Sequence, residues 1–175
     1  MNDSDAGRLA NVERRLARLE DIEELHRLRN RYHELINSNE WGTQAADLFT
    51  DDALLDHGHM GVFRGREAIV GFFAGAGAGV AGSEASAEPP FVKQFIHGHD
   101  VRLDDEDADR ATGISYLEAK PVYRGESFLV SGRIDDAYRR VDGRWRFAQV
   151  KVEYWFMVPA SEGWASPDRI KMSLS

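Results

Sequence analysis

The chain has 175 residues, 42% of them hydrophobic, enough for one folded domain with a real core. Its net charge of −8 disfavours nucleic acid, and its lack of cysteine excludes disulfides, iron–sulfur clusters and thiolate zinc sites. No run approaches the roughly 20 apolar residues of a membrane span, and the N-terminus carries no apolar signal region, so a cytoplasmic protein without membrane contact is expected.

Arg8 to Asn37 reads as helix. Leu9, Val12, Leu16, Leu19, Ile22, Leu25, Leu28, Tyr32 and Leu35 recur at spacings of three and four and form one apolar stripe. The run exceeds the usual helix length, which places a break near Glu20–Asp21. The arginines of its first turns alternate with glutamates and read as a solvated face. NSNEWG ends the helix, Thr43 to Phe49 forms a short second one, and Thr50-Asp51-Asp52 closes it. Ala53 to His59 is a first strand and Arg66 to Ala74 a third helix. GAGAGVAGSEASAEPP then reads as a mobile loop, a solvated insertion or a lid.

From Phe91 onward the pattern is strands and turns. Phe95 to Leu103, Ala111 to Val122, Phe128 to Val141 and Arg144 to Val158 are the four strands, with Asp142-Gly143 a hairpin turn. On the last strand Trp145, Phe147 and Gln149 share one face. Helices first and antiparallel strands later make an α+β domain with the helices on one side of the sheet. The expected organisation is a helical extension over 1–16, a main domain over 17–159 and a tail over 160–175.

Two pairs of histidines carry the chemistry. His57 and His59 are two apart in a strand, as are His97 and His99, so alternation puts each pair on one face. Histidine takes and returns protons at neutral pH. Facing inward together, the four imidazoles also raise a metal-site alternative, since neutral imidazole is a ligand for zinc, iron or copper. His26 and His33 lie on the long helix and read as structural. Asp136 and Tyr138, in "GRIDDAYRRVDGRW", read as mainly structural, with Asp136 able to touch a pocket rim. Tyr116, Leu117, Tyr154 and Trp155 supply apolar and aromatic surface on the strands.

The order of "DIEELHRLRNRYHELINSNEW", "LFTDDALLDHGHMGVFRGREAIVGFF", "FIHGHDVRL", "RATGISYLEA" and "YRRVDGRWRFAQV" resembles the SnoaL-like branch of the nuclear transport factor 2-like superfamily, over Ala17 to Pro159. The resemblance implies a cone: a curved, mostly antiparallel sheet wrapped around N-terminal helices, enclosing a pocket for a small hydrophobic ligand. Its dehydratase and dehydrochlorinase members work without metal or organic cofactor, so none is expected here. By the same resemblance the helix tyrosine falls on Tyr32 as oxyanion donor. The strand base falls on His97, with His99 as substitute, and a further catalytic position falls on His57. Asn37 and Ala119 stand where acids are expected. Substrate contacts are then expected from Asn37, His59, His99, Tyr116, Leu117, Tyr154 and Trp155. The expected function is a cofactor-free lyase (dehydratase) or isomerase acting on a cyclic or polycyclic metabolite. The alternative is a non-catalytic binding protein that keeps the pocket without the acids. Some members are trimers, and the early apolar stripe needs partners, so a homo-oligomer is expected, trimer before dimer.

Overall fold

The helical periodicity is realised as a single helix, α1 (Asp3–Asn37), in the computed structural model, which describes residues 3–38, 47–80 and 91–171. No break occurs at Glu20–Asp21. The apolar stripe slips around the helix instead. Leu9, Val12, Leu16 and Leu19 are half or more exposed, whereas Leu25, Tyr32, Leu35 and Ile36 are buried. Burying such a side chain contributes about 1.5–3 kcal/mol, so the C-terminal half of α1 anchors it. At the other end, the expected helix over 43–49 lies largely outside the described residues. Its last residue already belongs to a strand.

That strand is β1 (Phe49–Asp56), followed by a 3-10 turn (Gly58–Met60), β2 (Val62–Arg64) and α2 (Arg66–Val80). Helix α2 thus runs six residues past Ala74, through glycines and alanines that read as loop. Of the expected lid, residues 81–90 lie outside the described residues. Four long strands complete the fold: β3 (Val92–Leu103), β4 (Arg110–Tyr123), β5 (Glu126–Val141) and β6 (Arg144–Pro159). The sequence boundaries hold within three residues for all four. Asp142 and Gly143 both take positive φ, 52° and 72°, as a two-residue hairpin requires.

The sheet order is β2-β1-β6-β5-β4-β3. The β1–β6 pair is parallel and the rest antiparallel. The result is the expected α+β cone: a curved, unclosed mixed sheet with α1 against β3 and β6, and α2 against β1 and β2. Bulges between His97 and His99 on β3, and opposite Ala137/Tyr138 and Ser131/Gly132 on β6, add local bend and reverse the side-chain phase. The bulge at Ala148 takes Gln149 off the face shared by Trp145 and Phe147, and Val150 and Val152 are buried instead. No helix among the described residues is long and apolar enough to cross a membrane.

Candidate functional site

Strand β1 ends at Asp56, one residue before the first histidine. Asp56 Oδ1 accepts the Gly58 N–H at 2.9 Å, and Gly58, at φ 59°, starts the 3-10 turn. His57 and His59 therefore do not share a strand face. His57 Nδ1 lies 2.6 Å from the Tyr154 hydroxyl, and its ring packs on Phe72 at 5.0 Å. His59 is exposed, its ring edge-on to Tyr154 at 5.6 Å. Tyr154 comes from the inner face of β6. Tyr32, from α1, is buried among Phe49, Phe73 and Phe147 with ring centroids at 6.1, 6.1 and 5.8 Å. Burial pushes the Tyr32 hydroxyl up to about 12, against the pull of Arg29. Burial and the neighbouring Tyr32 push Tyr154 well above 10. The His57 imidazole is brought down to about 4, by burial first and then by His59. At neutral pH the site holds a neutral imidazole bonded to a protonated phenol. A groove of about 370 Å³, lined by Asp56, His59, Glu153 and Tyr154 among others, opens beside it.

On β3 a bulge breaks the alternation. Gly98 takes φ 63° and forms a bulge, so His97 pairs with exposed Tyr116 while His99 pairs with buried Ser115. His97 lies on the outer face, 3.7 Å from Glu118, with both side chains more than half exposed. It does not face the interior with Tyr32, which corrects the expectation for the base. His99 points inward. Its Nε2 meets the Tyr138 hydroxyl at 2.9 Å, and its ring lies 5.1 Å from His26. Gly113 makes room: a Cβ there would come within 2.8 Å of His99 Nε2. A cleft of about 400 Å³ between α1 and β3 exposes this pair beside Glu23, Arg27 and Asn30. Burial, then Arg29 and His26, brings the His99 imidazole down to about 4. Among the described residues no three acidic or histidine side chains converge as metal ligands, and the bulge keeps the two histidine pairs from forming one ligand set.

Beneath the site lies an ion pair that sequence patterning did not single out. Arg29 and Asp136 have fully buried side chains. Arg29 Nε donates to Asp136 Oδ2 at 3.0 Å, and its Nη2 donates to Oδ1. The Tyr138 hydroxyl donates to Asp136 Oδ2 at 2.7 Å. The guanidinium also stacks over Phe147 at 4.4 Å and Tyr32 at 5.2 Å. A chain of polar contacts thus links Arg29, Asp136, Tyr138 and His99 across the interior. Among the described residues, Arg29 Nη1, His33 Nε2 and Ser115 Oγ are buried and meet no hydrogen-bond partner, whereas His33 Nδ1 is 2.9 Å from Gln94 Oε1. The signal in the sequence was a charge in each buried phase. Arg29 is four residues after Leu25 and three before Tyr32, and Asp136 alternates with Ile134 and Tyr138 on β5.

The remaining expected contacts divide by face. Leu117 is buried on the inner face. Tyr116 and Trp155 lie on the outer face, 45% and 47% exposed, with rings 5.7 Å apart, so they do not line the interior. The bulge at Ala148 puts Trp155 in the outward phase and Tyr154 in the inward one, and a second bulge at Trp155 returns Met157 inward. Asn37 braces backbone: its Oδ1 accepts the Gln94 N–H at 2.6 Å, and its Nδ2 donates to the Gln94 carbonyl at 2.9 Å. A carboxylate at this position would accept the first bond but could not donate the second.

The buried His33 and the half-buried His57 and His99 set a pH dependence. His33 is brought down to about 3 and His57 and His99 to about 4, so the native state binds fewer protons than the unfolded chain below about pH 6.5. Stability is then full above pH 6.5 and falls as pH drops toward 4. Urea unfolding at pH 7 and pH 4.5 should differ by on the order of a few kcal/mol. Equal stability at the two values would show these imidazoles to be solvated.

Residues 17–151 match the profile of the SnoaL-like domain. Among solved structures, the type 2 hexachlorocyclohexane dehydrochlorinase LinA is 19% identical, with a TM-score of 0.66 over 87% of this chain and 98% of its own. A protein provisionally assigned as a scytalone dehydratase, from Novosphingobium aromaticivorans, is 19% identical, TM-score 0.67, over 81% and 88%. A single-residue variant of Rv3472 from Mycobacterium tuberculosis, a protein of unknown function, is 22% identical, TM-score 0.65, over 81% and 76%. At these identities the likeness is one of fold. No curated protein matches the sequence at a significant level.

Proposed function

Because the chain belongs to the SnoaL-like domain family, we propose that it is a lyase-type enzyme whose inward His57–Tyr154 pair moves a proton on a small, largely apolar ring compound. The 2.6 Å contact between His57 Nδ1 and the Tyr154 hydroxyl carries the reading. With Nδ1–H donating to the Tyr154 oxygen, Nε2 keeps a free lone pair. It takes a proton from the carbon next to a carbonyl. The C–H electron pair becomes the new double bond, and the leaving group departs from the neighbouring carbon with its own pair. The Tyr154 and Tyr32 hydroxyls, held protonated by burial, donate to the carbonyl oxygen as negative charge develops there. The dehydrochlorinase and dehydratase descriptions of structural neighbours support an elimination, and the Phe72 and Tyr154 rings beside His57 support a ring substrate.

The test is a screen of mono-, bi- and tricyclic ketones carrying a β-hydroxyl or β-halide, followed by absorbance of the conjugated product. Wild type should form product from at least one of them, and Tyr154→Phe should slow it about tenfold or more. A wild type that binds members of the panel and converts none of them would favour the non-catalytic pocket.

A further inference from the structure

The exposed half of α1 is built to meet another helix. Leu9, Val12, Leu16 and Leu19 are 50%, 58%, 54% and 64% exposed. Their spacing of three, four and three is that of the a and d positions of a coiled coil. They cannot fold back on the protein's own sheet. Leu16 and the buried Leu25 are nine residues apart, about two and a half turns, and so lie on opposite sides of α1. The side facing the sheet is marked by Arg18, 3.2 Å from Asp105, and by Asp21, which accepts bonds from Arg140 and Trp145. The matched domain begins at residue 17, so this seam lies mostly ahead of it.

The flanking charges identify the occupant. With Leu9 and Leu16 at a, Arg8 and Arg15 fall at g and Glu13 and Glu20 at e, all exposed. One edge of the seam is basic and the other acidic. Parallel copies set each g residue beside the e residue five positions on in the next copy, which pairs Arg8 with Glu13 and Arg15 with Glu20. Antiparallel copies would set arginine against arginine and glutamate against glutamate. The two glutamates also disfavour an anionic bilayer, which attracts a basic polar face. Two heptads are short for an isolated coiled coil. Here the helix is already nucleated and held by its packed half, so the contact does not bear that cost.

We infer that residues 8–20 form a parallel helical seam joining copies of this chain. The full chain at tens of micromolar should sediment at a multiple of 19.7 kDa. Leu16→Glu should return it to the mass of one chain with the circular dichroism of the domain unchanged. The absence of native cysteine allows a test of direction. In parallel copies Leu9 faces Leu9, so Leu9→Cys should cross-link with itself on mild oxidation. In an antiparallel pair Leu9 would face Leu19, about 15 Å away along the axis, and would not cross-link. A wild-type mass of one chain, or a multimer that survives Leu16→Glu, would overturn the inference. So would a Leu9→Cys variant that fails to link, or a single chain that floats with phosphatidylserine vesicles, which would assign the face to a membrane.

Discussion

Asp136→Asn should lower the stability of the fold by about 3–5 kcal/mol, measured by urea unfolding with unchanged slope. The substitution keeps the shape of the side chain but leaves the Arg29 guanidinium, with a fully buried side chain, without its counter-charge. Arginine cannot shed its proton inside a protein, so no neutral form relieves the loss. Removing the other partner is milder. Burial already pushes the Asp136 carboxyl up, opposed by Arg29 and the Tyr138 donor, so in Arg29→Met it can take a proton and stay buried as a neutral acid. Arg29→Met should therefore cost less than Asp136→Asn. Arg29→Met with Asp136→Leu should recover much of the loss, because paired apolar replacement of a buried ion pair is often close to neutral. Equal effects of the two single changes, each under about 1 kcal/mol, would mean that water reaches the pair.

His57→Ala should lower turnover by about 10²–10⁴-fold, the usual worth of a general base, while affinity for the ligand changes little. His97→Ala should leave turnover unchanged, because that ring lies on the outer face beside Glu118. The pH profile separates His57 from an ordinary solvated histidine. Burial holds the imidazole neutral down to about pH 4, so the rate should rise through that region and be flat by pH 6. A solvated histidine base would place the rise near pH 6.5. Loss of activity in His97→Ala, with His57→Ala intact, would move the chemistry to the outer face of β3.

The fold was legible because its signals are periodic. Strict alternation marks β5, with Phe128, Val130, Ile134 and Tyr138 buried in one phase, and the Asp-Gly pair marks the last hairpin. The site was only half legible because alternation assumes an unbroken pleat. A single bulge at Gly98 turned His97 outward and His99 inward, and the 3-10 turn after Asp56 parted His57 from His59. Trp155 was misplaced for the same reason, because the bulge at Ala148 reverses the phase set by Trp145 and Phe147. The Arg29–Asp136 pair was within reach, since each residue occupies a buried phase of its own element. What hid it is that the partners are 107 residues apart in sequence and only the folded sheet brings them together. The stripe on α1 read as continuous because spacings of three and four also fit a slow drift around the helix. Only the burial contrast between Leu16 and Leu25 shows two faces.

The most direct measurement of the proton-transfer reading is deuterium wash-in. The panel of cyclic ketones is incubated in heavy water with wild type, His57→Ala and His97→Ala, and exchange at the carbon next to the carbonyl is followed by proton NMR. Wild type and His97→Ala should exchange at the same rate, and His57→Ala should fall by at least about 10²-fold. Exchange that persists in His57→Ala, or is absent from wild type across the whole panel, would contradict a proton-transferring role for the His57–Tyr154 pair.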